Sequence, residues 1–266
     1  MLKLINVTKT FNTNTFNATK ALKNIELEVK NNDFITIIGG NGAGKSTLLN
    51  SIAGVFDLTY GDIILSDKDI TDMPEHKRAN FIGRVFQDPL MGTSPEMTIE
   101  ENLSMALNKD TNLSLKWAVN KKKRGRIKEH LSEINLGLED RLDTKVKFLS
   151  GGQRQALTLL MATIIEPEIL LLDEHTAALD PATAIKINEL TQKIISNHKI
   201  TTLMITHNMK DALNFGNRLL MMNHGKIIFD VQGQTKKNMT INHLLEIFQK
   251  KHKQGFYNDR AILSLA

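Results

Sequence analysis

The residues with the most specific chemistry lie early in the chain, at Gly39-Gly40-Asn41-Gly42-Ala43-Gly44-Lys45-Ser46. They fit G-x-x-x-x-G-K-[ST] at every fixed position, after an apolar run, Phe34 to Ile38, and before a helical pattern, Lys45 to Ala53. Glycines let a backbone bend tightly enough for successive N–H groups to converge on one anion. A helix beginning at Lys45 adds the positive end of its dipole. Lys45 can then reach the outer phosphates of a nucleotide, the Ser46 hydroxyl can ligate a divalent cation, and Thr47 lies beside them in the first turn.

Two further groups carry candidate chemistry. Ile169-Leu170-Leu171-Leu172-Asp173-Glu174 is an apolar strand that ends in two acids. In a parallel sheet a carboxylate at that end of a strand faces the ligand crevice. Asp173 there can support a metal ion, and Glu174 can polarise an attacking water. Leu149-Ser150-Gly151-Gly152-Gln153 precedes a helix, Arg154 to Ile165. Ser150 reads as its N-cap; the alternative is a second anion-binding helix start, with Gly151 and Gly152 open to close approach.

The elements that must hold these groups alternate between strand and helix. Leu2 to Val7, Leu22 to Val29, Phe34 to Ile38, Ile63 to Leu65 and Phe81 to Phe86 read as strands bounded by Asn, Asp and Gly. From about 90 to 165 the pattern is mostly helical, with a polar helix near Ile127 to Ile134. Strands resume at Ile169 to Asp173, Thr201 to Thr206 and Leu219 to Met222, with a helix opened by Pro181 between the first two. This order predicts an α/β fold with a mainly parallel sheet, interrupted by a helical insertion. Beyond residue 230 the chain reads as a polar, Lys-rich tail with one helix, Ile241 to Lys250, and a partly disordered end.

Composition narrows the classes. The chain has 266 residues, 41% hydrophobic and 24% charged, ordinary values for a globular protein. No apolar run approaches the ~20 residues needed to span a bilayer. The N-terminus lacks the apolar core of a signal peptide, so the expectation is a cytosolic protein with peripheral membrane contact. The absence of cysteine excludes disulfides, thiolate zinc sites and thiol catalysis. A net charge of +5 and a pI near 9.2 suit nucleic acid, anionic lipid and nucleotide alike.

Taken in order, these motifs resemble the nucleotide-binding subunits of ATP-binding cassette (ABC) transporters over about Leu2 to Asp230. Gly39 to Ser46 resembles that family's Walker A, Ile169 to Glu174 its Walker B, and Leu149 to Gln153 its LSGGQ signature. Gln87 fits the Q-loop, Asp180 in Ala178-Leu179-Asp180 the D-loop, and His207 the switch histidine. Phe11 stands where the family places an aromatic ring under adenine, with Phe16 as its rival. The resemblance implies an ABC ATP-binding domain over 1–230 with a helical insertion at about 90–165 and an N-terminal antiparallel β-subdomain on the phosphate-loop NTPase core. It implies ATP as substrate and Mg2+ held by Ser46, Gln87 and Asp173. Lys45, Gln87, Glu174 and His207 become the catalytic set. Phe11, the loop Gly39 to Thr47, Gln87, Ser150 to Gln153 and Asp180 become the nucleotide-binding set.

The family also implies a head-to-tail dimer of two such chains, with ATP between one Walker A and the other signature, working on the cytoplasmic face of the membrane with an integral permease. The stretch Asp88 to Pro95 resembles prokaryotic import ATPases encoded beside a permease and a substrate-binding lipoprotein, which implies import of a small solute, an amino acid among the candidates. Leu90 and Met91 are the expected apolar anchors for the permease, Glu100 and Glu101 its polar rim. Export, mechanical work and a nucleic-acid or ribosome ATPase stay open as alternatives; the basic run Lys121 to Arg126 is the feature that favours nucleic acid.

Two positions depart from the family pattern. Gly40 replaces the usual Pro, which loosens the loop and leaves the phosphate contacts intact. His175 replaces the Pro that follows the catalytic acid. That exchange reads as a surface variation; the alternatives are an altered hold on Glu174 and Asp180, or an imidazole that tunes the pH response.

Overall fold

A computed structural model describes residues 1–107 and 121–252. Part of the expected helical insertion, 108–120, and the end of the tail, 253–266, lie outside the described residues. The chain divides into two units, one formed by Met1–Arg78 with the stretch from Thr201 onward and the other by Ala79–Ile200.

The first unit opens with β1 (Leu2–Phe11) and β2 (Thr19–Val29), followed by β3 (Phe34–Ile38), α1 (Lys45–Ala53), β4 (Tyr60–Leu65), β5 (Lys68–Asp69) and α2 (Glu75–Arg78). Strands β2-β1-β4-β5 form an antiparallel sheet in that order. Strand β1 runs four residues past the expected Val7, and its last pair is Phe11 with Thr19. In β3 all five residues are buried, as befits a strand covered on both faces.

The second unit contains β6 (Ile82–Val85), α3 (Ile99–Leu107), α4 (Lys121–Ile134), α5 (Gly151–Thr163), β7 (Ile169–Asp173) and α6 (Pro181–His198). Strands β6 and β7 pair in parallel, and α3, α4 and α5 fall between them in sequence, as the inserted helices. The first unit then resumes with β8 (Thr201–Ile205), α7 (Met209–Asn214), β9 (Arg218–Asn223), β10 (Lys226–Gln232), α8 (Gly233–Lys237) and α9 (Ile241–His252). Strand β3 pairs in parallel with both β8 and β9, and β9 pairs antiparallel with β10. The expected α/β class, with an antiparallel sheet and a mainly parallel one, is the class observed.

The helix that begins with Lys45 is fixed at its far end by a buried cation. The Arg78 guanidinium donates to the carbonyls of Ser51 (2.9 Å), Ile52 (2.8 Å), Met73 (2.7 Å) and Thr71 (2.7 Å). Carbonyls at a helix C-terminus favour a positive partner, so α1 is closed without a basic residue in its own last turn. The helix of the tail is folded onto the body. Leu244 of α9 is fully buried with Ile38, Ala212, Leu219, Met221 and Val231, a burial that contributes about 1.5–3 kcal/mol.

The basic run turns out to be the start of α4. Arg124 is ion-paired with Glu100 and, at 2.8 Å, with Asp143. Glu100 is therefore not part of an exposed rim: it is 5% exposed. Glu101 closes the start of α3, accepting from the Thr98 N–H at 2.7 Å while its own N–H donates to the Thr98 hydroxyl at 3.2 Å.

Candidate functional site

In the first unit the turn between β3 and α1 forms a closed loop. Lys45 is buried, and its Nζ donates to the carbonyls of Gly39 (2.7 Å) and Gly40 (3.1 Å). The Gly40 carbonyl also accepts from the Ala43 N–H at 3.2 Å, and the Ala43 carbonyl from the Gly225 N–H at 3.0 Å. Gly44, the N-cap of α1, has φ +99, and a Cβ there would lie 2.7 Å from the Ala21 carbonyl oxygen. No side chain fits that position, and no side chain of the N-cap residue caps the helix. Asn41, Gly42 and Ser46 are exposed, while Ala43 is buried and Thr47 half-buried. The cradle fits a polyphosphate: a helix start, a Cβ-free backbone and one ammonium already folded over it.

Phe11 and His207 belong to the same unit. Phe11, half-buried at the end of β1, meets Phe56 edge-on at 5.1 Å, and Lys9 Nζ sits 5.1 Å from its ring centre. Phe16 is fully exposed in the following turn. An aromatic ring held at a strand end is a better stacking platform than one standing free, so the geometry favours Phe11 over its rival. His207 is exposed between β8 and α7, where Asn208 caps α7 by accepting from the N–H groups of Lys210 (2.9 Å) and Asp211 (3.3 Å).

The second unit holds the acids, the signature and Gln87. Asp173 ends β7 and Glu174 follows it, both half-buried. Glu174 has φ +48, the left-handed region that costs a residue with a side chain on the order of 1 kcal/mol. His175 is 1% exposed, which corrects the expectation of a surface variation. Its Nε2 is 3.0 Å from the Thr191 hydroxyl in α6, and burial pushes its pKa down to about 4. The imidazole is therefore uncharged at neutral pH. Two backbone bonds shape the rest of the turn, Ala177 N–H to Glu174 (3.0 Å) and Leu179 N–H to Thr176 (3.2 Å). Asp180 then caps α6, its Oδ1 accepting from the Thr183 N–H at 3.0 Å. Hydrogen bonds from Thr183 hold the Asp180 carboxyl below the usual carboxylate range.

Ser150 caps α5 as expected. Its hydroxyl accepts from the Gln153 N–H at 3.2 Å, and the Gln153 side chain accepts from the Ser150 N–H at 3.3 Å. Gly152 is needed for a reason the sequence did not show: a Cβ there would lie 2.4 Å from the Thr183 γ-methyl. The signature is thus packed directly on the start of α6, with Gly151 facing Leu179. Arg154, which sequence reasoning passed over, directs one guanidinium nitrogen at the carbonyls of Val146 (3.4 Å), Lys147 (3.3 Å) and Leu149 (3.2 Å). Nothing in its type or spacing signals that it gathers the loop before Ser150. Gln87 is exposed after β6, just ahead of a single 3-10 turn, Pro89–Gly92, capped by Asp88.

Against known families, residues 22–177 match the model described as ABC transporter. The chain belongs to the ABC transporter family. It is 46% identical over 250 residues to the tyrosine transport ATP-binding protein of Clostridioides difficile (strain R20291), covering 94% of this chain and 99% of that protein. Among solved structures, it is similar to the dimeric post-hydrolysis state of the ATP-binding cassette MJ0796 bound to ADP and Pi, with 32% identity and a TM-score of 0.74 over 87% of this chain and 98% of that one. It is also similar to cbiO1 from Clostridium perfringens, part of the ABC transporter complex cbiONQ, with 25% identity and a TM-score of 0.75 over 95% of this chain and 94% of that one. This ABC transporter subunit binds ATP and is an ATPase coupled to transport, in a family whose cassettes form dimers and work with membrane permease components. Among its described residues no helix is long and apolar enough to cross a membrane.

Proposed function

We propose that the chain drives import of a small solute, an aromatic amino acid of the tyrosine class, through a separate permease fed by a substrate-binding lipoprotein. The observation that carries this is the 46% identity to a tyrosine transport ATP-binding protein, sustained over nearly the whole of both chains. In this reading the subunit lies on the cytoplasmic face of the membrane, and two copies meet head to tail. The loop Gly39 to Thr47 holds the phosphates of ATP in one copy, with Phe11 under the adenine; Ser150 to Gln153 and Asp180 close the site from the other.

Catalysis is then positioning and charge stabilisation. Glu174 orients the attacking water and takes its proton, Lys45 and His207 hold the terminal phosphate, and Gln87 reports the state of the site to the partner. Ser46, Gln87 and Asp173 supply oxygen donors, the set that Mg2+ takes; Mg2+ held there neutralises phosphate charge.

The permease is proposed to dock on the turn Pro89–Gly92, where Leu90 is 44% and Met91 69% exposed. The nucleic-acid alternative loses support from α4, because Arg124 is committed to Glu100 and Asp143. The test is reconstitution of the subunit with its permease and lipoprotein in vesicles. Labelled tyrosine should accumulate with ATP, and changing Leu90 and Met91 to Asp should detach the subunit from the membrane while its own ATPase persists. Tyrosine that neither accumulates nor raises the ATPase rate would overturn the substrate; retained membrane binding of the double variant would overturn the docking surface.

A further inference from the structure

The turn that carries Glu174 has to hold a left-handed residue between a strand and a helix. Glycine is absent from Glu174 to Asp180, and so is the proline that would stiffen the residue after the acid. What stands there is His175, fully inside the protein. Its hydrogen bonding can be worked out atom by atom. Thr191 has one hydroxyl proton, and it goes to the Ile187 carbonyl at 2.7 Å, one turn back in α6. The Thr191 oxygen can therefore only accept from His175, so the Nε2 that lies 3.0 Å away carries the imidazole proton. Nδ1 is then left as an acceptor, buried and, among the described residues, without a partner.

For stability alone, histidine is a poor choice at this position. A leucine would fill the space without leaving an acceptor unmet, and an unmet buried acceptor costs more than a neutral hydrogen bond returns. The bond does something a leucine cannot: it ties the residue after Glu174 to the middle of α6, the helix that Asp180 caps through the Thr183 N–H. We propose that His175 is a positioning residue for Glu174, and that its bond to Thr191 fixes the strained β7–α6 turn in place of glycine or proline. This rests on Glu174 being the group that acts on water. The imidazole itself touches no nucleotide; it holds the carboxylate where the water must be.

The experiment uses steady-state ATP hydrolysis by the intact chain in four variants beside Glu174→Gln, with melting temperatures measured on each. Thr191→Val keeps shape and removes the acceptor, and should lower kcat by about tenfold or more, the scale of a misplaced catalytic group. The KM for ATP should stay within about twofold, because binding groups are untouched. Thr191→Ser keeps the hydroxyl and should restore most of kcat. His175→Leu should match Thr191→Val in kcat without loss of melting temperature. The double variant His175→Leu/Thr191→Val should be no worse than either single one, as expected for two ends of one interaction.

A kcat unchanged in folded Thr191→Val, or a Thr191→Ser as slow as the valine variant, overturns the proposal. So does a rise in KM with kcat intact. Hydrolysis that survives Glu174→Gln would instead overturn the assignment of Glu174 beneath it. A dead Glu174→Gln beside a fully active Thr191→Val leaves that assignment standing and removes His175 from it.

Discussion

In the loop from Gly39 to Ser46 the backbone is shaped by missing side chains, whereas in the turn from Asp173 to Asp180 it is shaped by present ones. The first places Gly44 at φ +99 against the Ala21 carbonyl, where nothing larger fits. The second places Glu174 at φ +48, where a glycine would be easier, and surrounds it with a buried imidazole and a capped helix. The difference follows from what each segment presents. A phosphate cradle presents N–H groups, so side chains only obstruct it. A residue proposed as the base must present its own carboxylate, so it cannot be glycine and its strained backbone has to be held from the sides. The signature combines both devices, a capping box on Ser150 and a Cβ-free Gly152 on Thr183.

The sharpest way to break this contrast is to remove the carboxylate and leave its backbone. Glu174→Gln should lower the rate of hydrolysis by about a hundredfold or more, the range for loss of a general base. ATP binding and the ATP-dependent dimer should persist, read by gel filtration with nucleotide. In the cradle the converse applies, and backbone matters more than chemistry. Gly44→Ala should weaken ATP binding by about tenfold or more, since it forces a left-handed alanine into a carbonyl. Titration calorimetry reads it directly.

Phe11→Ala should follow, weakening ATP by about 1–3 kcal/mol if the ring stacks on adenine. Phe16→Ala should change affinity little, and the reverse pattern would move the adenine site to Phe16. The smallest effect concerns Gly152. Gly152→Ala should lower stability by about 1–2 kcal/mol through overpacking. Thr183→Ser, which deletes the methyl in the way, should recover most of that loss. Denaturant melts of the two single variants and the double one decide whether packing on α6 is what the glycine serves.

The parts built from neighbouring residues were the legible ones. The phosphate loop, the buried strand β3 and the cap at Ser150 each show in a few consecutive residues, because local geometry selects their types. The parts built from distant side chains were not. His175 has the same letter on a surface as in a core; only Thr191, sixteen residues on, shows which it is. Glu100 looked like a surface acid because its partner, Arg124, lies twenty-four residues away. The same pair shows that one charge of the basic run, Arg124, is used internally. Arg78, which closes α1, gives no sign of burial either, since its hydrogen-bond partners are four main-chain carbonyls, which any residue type supplies.

One feature of the fold bears on how the chain comes off the ribosome. The unit that holds the phosphate loop is made from two stretches, Met1–Arg78 and the one from Thr201 onward, while the unit that holds the acids is a single run, Ala79–Ile200. Strand β3 emerges early, yet both of its parallel neighbours, β8 and β9, are synthesised after the other unit is complete. The nascent chain thus carries an apolar strand with two open edges through most of its synthesis, the condition in which strands pair wrongly. The part started first is finished last, and a ribosome that stalls before Thr201 releases a chain whose acid-bearing unit is whole and whose nucleotide cradle lacks its sheet.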